Sequence, residues 1–172
     1  NVNNAAVVVG DNATNRVIAY VGSRDFFDEA HEGQNDGARA LRQPGSALKP
    51  FAYGLALEQR LITPSTLLPD VETTLATESG TYAPRNYDKR VHGPVRARAA
   101  LQNSYNIPAV HLAEMLGPQR ILDELRRAGF DTLTDGADHY GVGIILGDGD
   151  IELVDMARAY AGLARGGVAM PL

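Results

Sequence analysis

Two short runs rich in β-branched residues lie near the start of the chain, at residues 5–10 (AAVVVG) and 16–22 (RVIAYVG). Residues 11–15 (DNATN) between them are turn formers, so the pattern predicts two antiparallel strands joined by a tight turn. Residues 26–38 are polar, contain glycine and show no sustained period, which predicts a loop. Because an isolated hairpin is only marginally stable, we expect further strands to complete this sheet.

Helical spacing of apolar residues characterises most of the remaining chain. Residues 47–61 show it, with Pro50 in the first turn, where a missing N–H group is tolerated. Residues 63–90 are rich in Thr, Pro, Asp and Ser, which predicts irregular or short extended structure. Amphipathic spacing, proline starts and glycine stops then predict four more helices. They cover residues 96–102, 108–116, 118–128 and 151–165, with Pro108 and Pro118 each at a first helical position.

Composition narrows the class of protein. The 172 residues are 44% hydrophobic and 22% charged, which is enough apolar material for one ordinary core. The formal net charge of -5 and the lack of a basic run argue against a nucleic-acid partner. Without cysteine, the chain has neither disulfides nor thiolate zinc sites. No stretch approaches the roughly 18 apolar residues that span a bilayer, so we expect any export signal or membrane anchor to lie upstream of Asn1.

Ser46 and Lys49 stand three positions apart at the predicted start of the first long helix, on one face and one turn apart. A serine hydroxyl is a poor nucleophile at neutral pH until a base removes its proton, and a lysine with a lowered pKa can be that base. The backbone N–H of Ser46, at a helix N-terminus, is available to a developing oxyanion. The pair alone is a weak signal, because such pairs on exposed helical faces usually have no function.

The surrounding motifs strengthen this signal. Ser-x-x-Lys followed by a triplet such as Ser104-Tyr105-Asn106 is a signature of serine β-lactamases and penicillin-binding proteins. The matching segments are residues 42–51 (RQPGSALKPF), 82–88 (YAPRNYD), 92–95 (HGPV), 99–110 (AALQNSYNIPAV), 145–147 (ILG) and 159–161 (AYA). On these motifs, the chain from about Ala6 to about Gly167 resembles the transpeptidase domain of class A penicillin-binding proteins.

The resemblance and the order of elements together imply an α+β fold of the serine β-lactamase and penicillin-binding transpeptidase type. In that fold helices pack on an antiparallel sheet, and an all-helical lobe would carry Ser104 and Asn106. The resemblance further implies a parent enzyme at the periplasmic or extracytoplasmic face of the cytoplasmic membrane.

The resemblance also implies a role for each motif residue. Ser46 would be acylated by the D-Ala-D-Ala end of a peptidoglycan stem peptide, or by a β-lactam, after activation by Lys49. Ser104 would relay a proton to the leaving amine, and Asn106 would hold the substrate amide and the Lys49 amine. Tyr105 is the tyrosine that we expect to line the cleft and contact the substrate. An amine of a second stem peptide would take the acyl group, with no metal or cofactor required.

One family motif is absent. The family's Lys-Thr-Gly motif lies on a strand that borders the active site, binds the substrate carboxylate and supplies an oxyanion donor, and no such motif occurs here. We therefore expect residues 1–172 to be the N-terminal portion of a transpeptidase domain, without its C-terminal strands and inactive alone. The expected partner is the remainder of the same domain, as another chain or a missing segment.

Two alternatives remain open at this stage. A D,D-carboxypeptidase or serine β-lactamase would share Ser46 and Lys49 but use water as the acceptor, although no match to a glutamate that holds this water is found. A non-catalytic β-lactam sensor or scaffold module is the other alternative. Four intact motif residues favour an enzyme as the parent.

Other residue groups are interpreted structurally. Four histidines lack the paired spacing of a metal site and are interpreted as surface or structural residues. Two glycine-rich segments complete no phosphate-binding motif and are predicted to be loops. Three aspartates lack the glutamate of a calcium loop and are predicted to form a solvated turn. These groups are His31, His92, His111 and His139, residues 141–143 and 147–150, and Asp131, Asp135 and Asp138.

Overall fold

The computed structural model describes residues 3–77, 80–168 and 170. These residues form two compact units, and the boundary between the units falls within a helix. One unit contains the described residues up to Gln43, Leu125–Thr134 and the described residues from Asp150 onward. The other contains Pro44–Glu124 and Asp135–Gly149.

The first unit begins with the predicted hairpin. Strand β1 (Val7–Asp11) pairs antiparallel with β2 (Arg16–Val21), with an irregular register between Val9 and Gly10. The side chain of Asp11 closes the turn by accepting the N–H groups of Ala13 (2.7 Å) and Thr14 (3.1 Å), as short polar side chains do in Asx-turns. The prediction of two strands and a turn is therefore confirmed.

The same unit contains the last helix, Leu153–Ala164, numbered α6 below, which packs on β1. Within it, Arg158 donates to the carbonyl oxygen of Gly129 and pairs with Asp155 at 3.0 Å. Because Gly129 follows the end of another helix, this guanidinium satisfies a carbonyl that a helix end leaves unpaired.

The second unit contains a mostly helical core. A 3-10 helix, Gly45–Leu48, runs directly into α1 (Lys49–Glu58). Next come α2 (Ala97–Gln102), α3 (Asn106–Leu116) and α4 (Pro118–Arg127), the helix in which the unit boundary falls. The core consists of apolar side chains at helical spacing that are at most 5% exposed. They include Leu48, Phe51, Ala52, Leu55, Ala109, Val110, Leu112 and Ala113.

Short antiparallel strand pairs occur within residues 63–90, where irregular or short extended structure was expected, and at Gly93–Arg96 just after them. Strand β3 (Leu67–Asp70) pairs with β6 (Gly93–Arg96), and β4 (Leu75–Thr77) pairs with β5 (Gly80–Tyr82). Together with the hairpin and the helices, these pairs confirm the α+β class. No helix in the described part of the chain is long and apolar enough to cross a membrane.

Two predictions for the region before α6 are wrong. The glycine-rich segment is not all loop, because Gly141–Leu146 forms a 3-10 helix. Its Ile144 and Ile145 are fully buried, and burial of two large side chains outweighs the local preference of the glycines for a turn. Asp138 lies in a short helix, α5 (Ala137–Tyr140), rather than in a solvated turn.

Candidate active site

Ser46 lies in the first turn of a continuous helical segment. Gly45 before it has a φ of 59°, a left-handed value that glycine adopts without strain, and the carbonyl oxygen of Ser46 accepts the N–H of Lys49. Pro50 is the second residue of α1, where no backbone donor is needed. The Ser46 side chain is exposed, and within the described residues its hydroxyl makes no hydrogen bond.

Lys49 is almost completely buried, at 1% exposure. Its nitrogen lies within hydrogen-bond distance of four oxygen atoms between the end of α2 and the first residue of α3. These are Ser104 O at 2.6 Å, Asn106 Oδ1 at 2.7 Å, Ser104 Oγ at 3.2 Å and Tyr105 O at 3.2 Å. The structure therefore gathers Lys49, Ser104 and Asn106, three of the predicted site residues, around one nitrogen atom.

All four of these acceptors are neutral oxygens. Burial lowers the pKa of Lys49 to about 8, since removing the ammonium from water disfavours the charged form. With a pKa near 8, about one amine in ten is neutral at pH 7, against about one in three thousand for an ordinary lysine. The arrangement can therefore hold a lysine as a neutral base near neutral pH.

Ser104 terminates α2 in a left-handed conformation, with a φ of 55°. Its N–H donates to Leu101 O (3.0 Å) and the N–H of Tyr105 donates to Ala100 O (3.0 Å), the type of bonding that closes a helix end. This conformation costs a residue other than glycine about 1–2 kcal/mol. The strained backbone brings both the carbonyl and the hydroxyl oxygen of Ser104 to the Lys49 amine.

Asn106 is the first residue of α3, two positions before the predicted start. Its Oδ1 accepts from Lys49 and its Nδ2 donates to Arg85 O at 2.8 Å, so both ends of the amide are held. Pro108 is the third residue of the helix, still within the first turn, where its missing N–H has no cost.

Tyr105 stacks one face of its ring on His92, with ring centroids 4.2 Å apart and planes 16° from parallel. His92 Nδ1 lies 2.6 Å from Asp70 Oδ2, and His92 Nε2 lies 3.1 Å from Asp88 Oδ2. The hydrogen bond with Asp70, with further help from the charges of Asp88 and Asp70, raises the pKa of His92. Tyr105 therefore packs on His92, whereas the role expected for it was contact with the substrate.

The sequence assigned no role to Asn86 or Asp70, which are 3% and 0% exposed beside this site. Asn86 Nδ2 donates to Asp70 Oδ1 at 2.8 Å, and Asn86 Oδ1 accepts the N–H of Asn106 at 2.8 Å. Both residues lie in or near a polar, proline-containing stretch, where nothing in the periodicity indicates burial. The only available signal was that Asn86 falls within one of the family-like segments.

Comparison with known proteins gives a consistent result. The model of the penicillin binding protein transpeptidase domain matches residues 5–172. The chain is 41% identical over 164 residues to penicillin-binding protein 1C of Escherichia coli strain K12, which covers 95% of this chain and 21% of that protein. It is 32% identical over 166 residues to penicillin-binding protein 1A of Rickettsia bellii, covering 95% of this chain and 20% of that protein. The chain thus spans about a fifth of the length of these curated relatives.

Solved structures show the same fold. Penicillin-binding protein 1A from Haemophilus influenzae superposes with a TM-score of 0.85 at 30% identity, over 98% of this chain and 25% of that chain. The PonA1 protein from Mycobacterium tuberculosis in complex with penicillin V superposes with a TM-score of 0.78 at 30% identity, over 96% of this chain and 44% of that one.

Proposed function

The chain belongs to the penicillin-binding protein transpeptidase family, and on this premise we propose that it supplies the acylated serine and its base for peptidoglycan cross-linking. The substrate is the D-Ala-D-Ala end of a stem peptide, and β-lactams acylate the same serine. The observation that carries the proposal is the buried Lys49 amine, with a pKa of about 8, one helical turn after the exposed Ser46.

In the proposed first half-reaction, neutral Lys49 takes the proton of Ser46 Oγ as this oxygen attacks the carbonyl carbon of the penultimate D-Ala. The resulting oxyanion faces N–H groups at the start of the helical segment, where the backbone carries positive partial charge. The tetrahedral intermediate collapses by breaking the carbon–nitrogen bond. The terminal D-Ala leaves as an amine, and its proton comes from Lys49 through Ser104 Oγ, which lies 3.2 Å from the lysine nitrogen.

In the second half-reaction, an amine of another stem peptide attacks the Ser46 ester and loses its proton to Lys49. The new amide forms, Ser46 Oγ leaves and recovers a proton, and the serine is free for another cycle. Asn106 Oδ1 accepts from the Lys49 amine, and in this proposal Asn106 also contacts the substrate amide and Tyr105 lines the cleft. The stem peptides place the reaction on the periplasmic side of the cytoplasmic membrane.

The test is covalent labelling of the full-length protein with a fluorescent penicillin, followed by peptide mass spectrometry. We expect one adduct, on Ser46, which disappears in Ser46→Ala. Ser65→Ala is the matched control, since Ser65 is exposed in a turn of the same unit and should leave labelling unchanged. An adduct on another residue, or none in the wild-type protein, would refute the assignment.

A second measurement distinguishes transfer from hydrolysis. The acyl-enzyme formed from a D-Ala-D-Ala peptide is presented with increasing concentrations of a D-amino acid as the amine acceptor. Transpeptidation predicts an amide product that grows with amine concentration at the expense of the free acid. If only the free acid formed at every amine concentration, the enzyme would instead be a hydrolase.

A further inference from the structure

Helix α3 has no N-terminal cap from its own sequence. Tyr105, the residue before it, has extended backbone angles and makes no side-chain capping bond. Asn86, twenty residues earlier, supplies the missing acceptor. Its Oδ1 receives the N–H of Asn106 at 2.8 Å and the N–H of Ile107 at 3.3 Å. Two of the donors that a helix start leaves unpaired are therefore satisfied by a distant side chain.

The other end of the Asn86 amide is held equally firmly. Nδ2 donates to Asp70 Oδ1 at 2.8 Å and to the carbonyl oxygen of Arg90 at 2.8 Å. With both N–H groups donated and the oxygen accepting twice, the bonding capacity of this side chain is fully used. A flipped amide would aim its donors at the N–H groups of α3, so one orientation is specified.

Asp70, which anchors Asn86, is itself held. Its Oδ2 accepts the backbone N–H of His92 at 3.1 Å and lies 2.6 Å from His92 Nδ1. At the other ring nitrogen, Asp88 Oδ2 lies 3.1 Å from Nε2. The carboxylate is 0% exposed, and a buried charge is tolerated only where such partners surround it.

We propose that Asn86 is a positioning residue for the active site, which acts through the first turn of α3 to hold the Asn106 and Ser104 oxygens against the Lys49 amine. The proposal rests on the proposed function of Lys49 as the base for Ser46. Asn86 does not touch the reacting atoms. Its contact is with the backbone of the residue whose side chain accepts from the amine.

Loss of the Asn86 side chain affects the backbone N–H groups whose hydrogen bonds it accepts. In Asn86→Ala, one part-buried and one buried N–H group at the start of α3 lose their acceptor, and water or a shifted helix end must replace it. Either change loosens the oxygens around Lys49 and lets solvent approach its amine. We expect acylation of Ser46 to slow by about 100-fold, the order of loss that a displacement of about 1 Å causes at a reacting centre. We also expect the pH midpoint of acylation to move upward, toward that of an ordinary lysine.

A second variant keeps the helix cap and changes the charge. Asn86→Asp retains an oxygen acceptor for the N–H groups of α3 and places a second carboxylate beside Asp70. A negative charge there favours the ammonium form of Lys49. The midpoint should therefore rise as in Asn86→Ala, with a smaller loss of maximal rate.

The experiment measures acylation by a chromogenic β-lactam across pH for the full-length wild type, both Asn86 variants and Leu68→Ala. Leu68 is 2% exposed on the same strand as Asp70, so Leu68→Ala destabilises the region without touching the hydrogen bonds of Asn86. A merely structural role for Asn86 predicts that its variants behave like Leu68→Ala, with fewer active molecules and an unmoved midpoint. That result would overturn the proposal.

A readout independent of acylation separates this proposal from the proposed function. The protein is labelled with [ε-¹³C]lysine, and the Lys49 signal, identified by its loss in Lys49→Arg, is titrated by NMR. A raised Lys49 midpoint in Asn86→Ala supports positioning even if Ser46 is never acylated, in which case only the proposed function falls. An unchanged Lys49 titration in both Asn86 variants refutes positioning, whatever the wild type acylates.

Discussion

Lys49 Nζ lies 2.7 Å from Asn106 Oδ1, and this contact joins the first turn of α1 to the first turn of α3. The acceptor is a neutral amide, so it orients the amine without adding a negative charge that would stabilise the ammonium form. A carboxylate at the same position would accept a stronger hydrogen bond, but it would stabilise the ammonium form of Lys49 and so weaken its role as a base. Asparagine at position 106 therefore matters because it is uncharged as well as because of its shape.

We predict that Asn106→Asp slows acylation at pH 7 by about 10-fold to 1000-fold, because an adjacent carboxylate raises the pKa of an amine by about one to three pH units. The rate at pH 10 should recover most of this loss. Stopped-flow acylation at both pH values measures the effect. The control is Asn103→Asp, which adds the same charge at an exposed position just before Ser104. Equal losses at both pH values would show that charge is not the cause.

A second prediction concerns the pH profile of the unmodified protein. Since burial lowers the pKa of Lys49 to about 8 and the neutral amine is the reactive form, acylation should rise with pH through about 8 and level off above it. The acylation rate rises with pH because protonation of Lys49 at lower pH removes the acceptor for the Ser46 proton. A rate that is flat between pH 6 and pH 9 would contradict the assignment of Lys49.

Replacing Lys49 by Arg tests the same role chemically. Arginine keeps the positive charge and, with a pKa above about 12, cannot act as a neutral base at working pH, so we expect acylation to fall by about 10²–10⁴-fold. The chain contains one other lysine, Lys89, which is exposed, and Lys89→Arg is therefore a matched control that should acylate at the wild-type rate. Near wild-type acylation by Lys49→Arg would remove the lysine from the mechanism.

Local patterns predicted the elements that depend on nearby residues. The helical start at Ser46 and the four later helices follow from apolar spacing, proline and glycine, and the ends of the later helices differ from prediction by at most two residues. The first helix ends at Glu58, three residues before the predicted end at Leu61. The pair Ser46 and Lys49 was identifiable for the same reason, since three positions on a helix fix their relative placement.

Contacts between distant segments were not predictable in this way. Asn86 caps α3 across twenty residues of sequence, and Asp70 is buried in a stretch whose composition indicates an exposed loop. Neither position carries a periodic signal, because each is specified by hydrogen bonds to another segment rather than by an apolar face. The start of α3 was misplaced for this reason, since its cap is not adjacent in sequence.

The ion pair of His92 predicts a pH-dependent contribution to stability. The hydrogen bond with Asp70 raises the pKa of His92 in the folded state above the value of about 6.5 expected when unfolded. A raised folded pKa stabilises the protein fully below the unfolded value and loses its effect as pH rises through the folded value. We therefore predict that His92→Gln lowers the free energy of unfolding more at pH 6 than at pH 9.

Urea denaturation at the two pH values measures this difference. The same substitution in an Asp70→Asn background is the control, because a neutral partner removes the largest cause of the raised His92 pKa and the pH dependence should shrink. A cost of His92→Gln that is identical at pH 6 and pH 9 in the presence of Asp70 would contradict the prediction.

The last prediction concerns Gly147, which lies against the segment that carries the nucleophile. Its φ is 97°, and a Cβ at this position would overlap Gly45 N and Cα and lie 2.5 Å from Gly45 O. These are backbone atoms, so they cannot rotate away as a flexible side chain can. Gly147→Ala must therefore displace the 3-10 helix Gly45–Leu48 and move Ser46 relative to Lys49. A shift of about 1 Å is enough to slow acylation about 100-fold, although no chemically reactive group is altered.

Gly54→Ala is the matched control for this change. Gly54 lies within α1, and among the described residues a Cβ there would meet nothing within 4 Å apart from its chain neighbours and the nearby backbone of its own helix, so alanine should stabilise the helix by up to about 1 kcal/mol and leave acylation unchanged. Acylation kinetics and urea denaturation of both variants separate the two effects. If Gly147→Ala acylated as fast as Gly54→Ala, the close approach of Gly147 to Gly45 could not be what fixes the position of Ser46, and the serine would have to be held from within its own helix alone.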